Sequence, residues 1–190
     1  MVTVYYLRRF LAFFSDLLGE MDFDTVPVSV EVCAWFNAAK GIVMDWTKSK
    51  NLGLITNKDR MEYVSKLGKI FEEYRSTVYN KGFSGTEDLS LNQVSEFIFA
   101  INNDLGNTIR SNKNANGLYH AYNTIQIDLR KQSMDVQNLD LMLEGQVAAL
   151  NSGILNIDDA IGVLESLFAS DLYREDMKSF MLYPVKKVTP

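Results

Sequence analysis

From Leu91 to Ile109 the apolar residues Leu91, Val94, Phe97, Ile98, Ile101, Leu105 and Ile109 recur every three or four positions. That spacing lays them along one side of an α-helix. The pattern returns elsewhere. Tyr6, Phe10, Phe13, Phe14, Leu17 and Leu18 trace an aromatic-rich helix from about Val4 to Met21, expected to bury one broad face. Val28, Val32, Trp35, Phe36, Ala39, Val43 and Trp46 trace a second, ending near Lys50 before a loop at Asn51-Leu-Gly53. Pro27 suits the first turn of that helix, where a missing amide hydrogen costs little.

Local start signals support the remaining helices. Thr56 followed by Asp59 reads as a capping box opening a third helix through Met61, Val64, Leu67, Phe71, Tyr74 and Val78 to about Tyr79. Ser90 with Gln93 gives the Leu91 helix a second such box. A fifth helix is expected from about Asp135 to Leu150. Asn156 caps a sixth through Ile157, Ile161, Leu164, Leu167 and Phe168 to about Ser170, with Asp158 and Asp159 in its first turn. Six helices joined by short loops predict an all-α fold of antiparallel helical hairpins, in one domain spanning residues 1–190. Strand content is expected to be small, confined to a short extended segment around Tyr122, Ile125 and Ile127.

Charge and special residues exclude several classes. A net charge of −5, with no basic cluster longer than Arg8-Arg9 or Lys186-Lys187, argues against a nucleic-acid partner. The first apolar stretch is interrupted by Arg8, Arg9 and Asp16, so neither a secretory leader nor a membrane span is expected, and the location is cytoplasmic by default. The single cysteine, Cys33, reads as a small buried hydrophobe. Lys81-Gly-Phe-Ser-Gly-Thr-Glu-Asp88 lacks the spacing of a phosphate-binding loop. The aspartates have no calcium-loop spacing. No metal or cofactor is implied. Trp35 and Trp46 are candidate sugar platforms, but their helical spacing favours core.

The most distinctive stretch is Asn116-Gly-Leu-Tyr-His-Ala-Tyr-Asn123, which combines the only histidine with two tyrosines in a predicted loop. Hydroxyl-rich ligands call for neutral amides, carboxylates and aromatic rings, and Tyr119, Tyr122, Asn123 and Gln146 are candidate binding groups of these kinds. His120 is a candidate acid, base or anion ligand, or a hydrogen-bonded pin for the loop. Glu144, within an apolar helix, is the leading candidate for a general acid. Its other reading is a carboxylate bonded to loop amides. Hydrolysis of a glycoside ordinarily needs a second carboxylate, for which Asp128 or Asp140 could serve. Phosphorolysis needs a phosphate site, to which Arg110 or Arg130 could contribute.

Three blocks occur in order: Asn116 to Asn123; Met142-Leu-Glu-Gly-Gln-Val-Ala148 with Leu150-Asn-Ser-Gly153; and Leu172-Tyr-Arg-Glu-Asp176 with Ser179-Phe-Met-Leu-Tyr-Pro184. With Lys81-Gly-Phe-Ser84, they resemble the C-terminal region of very large bacterial proteins similar to cellobiose phosphorylases or six-hairpin glycosidases. The resemblance runs from about Tyr74 to Pro184. It implies helical hairpins forming all or part of an (α/α) toroid whose cleft binds sugars. A full toroid holds twelve helices, so the six expected here imply a contribution to a saccharide-binding cleft rather than a self-sufficient active site. The alternative is a scaffold or protein-interaction domain, self-association included, in which the same polar residues serve only packing.

Overall fold

The computed structural model describes residues 1–50 and 55–184. The expected loop at Asn51-Leu-Gly53 and the Lys186-Lys187 pair lie outside them. The helices are α1 (Val2–Gly19), α2 (Val30–Lys50), α3 (Asn57–Lys81), α4 (Leu91–Ser111), α5 (Leu143–Asn151) and α6 (Ile157–Phe168). Among them lie the strands β1 (Thr25–Ser29), β2 (Thr86–Ser90), β3 (Asn123–Asp128), β4 (Ser133–Asn138), β5 (Tyr173–Arg174) and β6 (Ser179–Phe180).

The expectation of an all-α fold of helical hairpins is therefore corrected. Among the described residues, 59% are helix and 16% strand, and the strands form three small antiparallel sheets. Pro27 lies inside β1, paired with Asp88, and not in a first helical turn. A two-stranded sheet is all edge, so one face of the ladder tolerates a residue without an amide hydrogen. Likewise, Ser133–Asn138 is a strand where a helix was expected from Asp135, and that helix starts only at Leu143.

The chain divides into two compact units, each with its own core. One comprises residues 13–104 and 126–135. Here Cys33, Phe36 and Leu89 are buried, with Val26, Val28, Trp35, Val94 and Phe97 packed around them. Phe36, Ala39 and Val43 of the predicted stripe are buried along α2, whereas Val28 lies in β1. Trp46 stacks on Tyr63 with ring centres 4.4 Å apart, and Trp35 lies against Tyr74. Both rings are occupied by the protein. Thr56 caps α3 by accepting from the Asp59 amide, while Asp59 accepts from the Thr56 amide. Burial pushes the Cys33 thiol up, helped by the negative charge of Glu87, which keeps it protonated near neutral pH.

The other unit comprises residues 1–12, 105–125 and 136–190. Its core joins Tyr5, Ile109, Leu118, Tyr119, Ala148, Ala149, Val163, Leu167 and Leu172. Two predicted faces are corrected. In α1 the fully buried residue is Tyr5, while Tyr6 and Phe10 are 47% and 55% exposed. In α6 Leu167 is buried as the spacing predicts, but its buried companion is Val163, and Ile157 is 79% exposed. Asn156 does cap α6, accepting from the Asp159 amide at 2.7 Å. Among the described residues, no helix is long and apolar enough to cross a membrane.

Candidate functional site

The three blocks that are distant in sequence meet in the second of these units. Gly145, at the start of α5, touches the octapeptide so closely that a Cβ there would stand 2.7 Å from the Tyr119 carbonyl oxygen and 2.9 Å from the Ala121 nitrogen. Only glycine permits that approach. One residue on, Gln146 is fully buried. Its Oε1 accepts from the Tyr119 amide at 2.8 Å, and its Nε2 donates to the carbonyls of Tyr119 at 2.7 Å and Met142 at 3.0 Å. The third block docks through backbone. Leu143 donates to the Leu182 carbonyl, and Met181 donates to that of Leu172.

This clamp decides what the candidate residues can do. Tyr119 is 2% exposed, packed edge-on against Tyr5 with ring centres 6.3 Å apart. Desolvation raises its phenol above the usual range. Neither Tyr119 nor Gln146 presents a group to solvent. Asn123 donates to Asn112 Oδ1, and Asn112 in turn donates to the Tyr5 hydroxyl and to the His120 carbonyl. Tyr5 donates to that same carbonyl, and desolvation pushes its phenol up to about 12. Asn123 therefore belongs to a packing network.

Glu144 is not among the residues that line the cleft holding His120. The Tyr122 hydroxyl donates to Glu144 Oε2 at 2.8 Å, and this bond holds the Tyr122 phenol above its ordinary range. The carboxylate's partner is thus a side chain, where the packing reading expected loop amides. Asp128 accepts from the amides of Arg130 and Lys131 and shapes the turn between β3 and β4. Arg174 pairs with Asp176 across one intervening residue.

His120 lines an open cleft of about 950 Å³, together with Asn114, Asn116, Asn138, Asp140 and Asp171. Ser166 and Ser170 add hydroxyls, and Leu118, Leu139 and Leu141 add apolar wall. Its Nδ1 lies 2.8 Å from the Leu139 carbonyl oxygen. A carbonyl can only accept, so Nδ1 carries the hydrogen and, in the neutral ring, Nε2 is left as the acceptor. Asn114 Oδ1 is used by the amides of Asn116 and Leu118. By contrast, the side chains of Asn116, Asn138 and Asp171 have no partner among the described residues.

No family model and no curated protein matches this chain. The cleft stands on its own geometry. Asn138 and Asp171 were absent from the sequence reading, because nothing local separates a cleft-lining asparagine or aspartate from one in a solvated turn. Asn116 lies within the octapeptide, and Asp140 is one of the two candidate second carboxylates.

Proposed function

We infer that the His120 cleft binds a saccharide, without this chain alone supplying glycoside cleavage. The observation that carries the reading is the lining: neutral amides at Asn116 and Asn138, an Asp171 carboxylate with no partner among the described residues and a His120 ring held by the Leu139 carbonyl, set between leucines. Sugar hydroxyls donate and accept, and their ring faces tolerate apolar contact, so this mixture suits them. A volume near 950 Å³ admits a mono- or disaccharide. Cleavage is left out because Glu144 is not among the residues lining the cleft.

A second reading is favoured by one observation. The hydrogen-bonding groups of Gln146 are saturated inside the core, as expected if the motif serves packing in a scaffold. Thermal unfolding with a panel of neutral mono- and disaccharides separates the two, since a ligand bound only by the native state raises Tm. Saccharide binding predicts a rise that Asn138→Ala and Asp171→Asn diminish while leaving the ligand-free Tm nearly unchanged. No rise with any sugar favours the scaffold.

A further inference from the structure

Two guanidinium groups come together away from the cleft, where α1, the end of α4 and the turn after α5 meet. Arg110 Nη1 and Arg8 Nε lie 3.5 and 3.9 Å from the point where a Cβ on Gly106 would stand, so both are gathered over one helical turn. The charge of Arg110 reinforces burial in lowering the affinity of Arg8 for its proton. Arg8 Nη1 donates to the Ser152 carbonyl at 2.7 Å, which anchors the side chain, but its Nε is buried with no acceptor among the described residues. Arg110 donates to Asn107 Oδ1, a neutral group, at 3.2 Å. Arg9, the next residue of α1, reaches only the neutral Asn151 Oδ1. Among the described residues, none of the three arginines forms an ion pair with a carboxylate.

Like charges this close repel, and a buried N–H without an acceptor carries an unrecovered desolvation cost. One added group relieves both. We propose that Arg8 and Arg110 form a binding site for a compact, multiply charged oxyanion, which bridges the two guanidinium groups. Planar guanidinium forks match the oxygens of phosphoryl and sulfuryl groups, and a shared anion turns the repulsion into two attractions. Arg8 is half-buried and Arg110 exposed, so the site opens to solvent on one side. It is separate from the saccharide cleft, none of whose lining residues is an arginine.

The test is thermal unfolding of the full chain in a buffer free of oxyanions, with inorganic phosphate or sulfate added against sodium chloride of equal ionic strength. Phosphate or sulfate is expected to raise Tm by about 2–4 °C in a saturable way, whereas chloride does not. Arg110→Gln is expected to abolish most of the rise without lowering the starting Tm, because among the described residues its side chain bonds only to exposed Asn107. Arg8→Lys keeps the charge but loses the fork, and is expected to weaken the response several-fold. A second readout follows the Arg8 Nε–H resonance by NMR, which should move with phosphate. A phenyl phosphate arm distinguishes a phosphoryl group on a larger molecule from free phosphate, since either ester or free ion occupying the site supports the proposal. An equal rise with chloride, an undiminished rise in Arg110→Gln, or an unmoved Arg8 resonance would each overturn it.

Discussion

Gln146 grips Tyr119 by both of that residue's backbone groups, accepting from its amide at 2.8 Å and donating to its carbonyl at 2.7 Å. A loop residue normally meets these needs with water or a strand, and here a glutamine from a helix mimics the strand. The arrangement fixes the backbone on one side of His120. The Leu139 carbonyl then fixes the ring.

Removing the clamp should therefore cost more than an average hydrogen bond. Gln146→Ala leaves a buried amide and carbonyl unpaired and opens a small cavity, for a loss of about 2–4 kcal/mol. Urea unfolding monitored by circular dichroism gives the value. A loss below about 1 kcal/mol would mean that the loop finds other partners.

Two glycine substitutions should move stability in opposite directions. At Gly145 the new methyl would meet backbone atoms of Tyr119 and Ala121 that cannot swing aside, so Gly145→Ala should destabilise by about 2 kcal/mol or more. Gly68, inside α3, has nothing within 4 Å of the same position. There Gly68→Ala should stabilise by about 0.5–1 kcal/mol through helix propensity alone. Both are read from denaturant midpoints of otherwise identical samples.

The alkaline limb of stability has a defined sign. The phenols of Tyr5 and Tyr63 are both pushed up to about 12, chiefly by burial, while an unfolded tyrosine titrates near 10. The folded state holds these protons more tightly. Their contribution is complete below pH about 10 and is lost as pH rises towards 12. Absorbance titration should show the Tyr5 and Tyr63 phenols titrating late, near 12, and Tyr5→Phe should remove one of them and flatten that part of the profile. Tyr5 titrating with the exposed tyrosines would contradict the burial argument.

At the acid end the capping box of α3 acts in the other direction. Hydrogen bonds from the Thr56 amide and hydroxyl hold the Asp59 carboxyl below its usual range. The stabilisation is present above the ordinary carboxylate value and disappears as pH falls through the lowered one. Thr56→Ala should cost about 1 kcal/mol at neutral pH. That cost should shrink in acid, which paired urea titrations at two pH values would detect.

Capping signals made α3 and α6 legible because Thr56-Asp59 and Asn156-Asp159 act within four residues of themselves. The β1–β2 sheet was not legible. Thr25 pairs with Ser90, so its stability comes from distant partners, and Pro27 beside a long apolar stripe mimics a helix start. In α1 and α6, periodicity revealed the helix but not which apolar stripe faces inward. Tyr5 is buried because its hydroxyl meets Asn112 and the His120 carbonyl, a destination no local pattern announces. The candidate site shows the same limit. The octapeptide and the Gly145-Gln146 pair were visible as unusual residues, yet their chemistry divides by burial: Gln146 and Tyr119 turn inward, while His120 borders the cleft.

The most direct test of the saccharide cleft is a two-dimensional amide NMR titration of the full chain with neutral disaccharides. Saccharide binding predicts saturable shifts concentrated at Asn116, Asn138, Asp171 and the backbone around His120, reduced in Asn138→Ala. Shifts absent at high sugar concentration, or scattered without regard to the cleft, would contradict it.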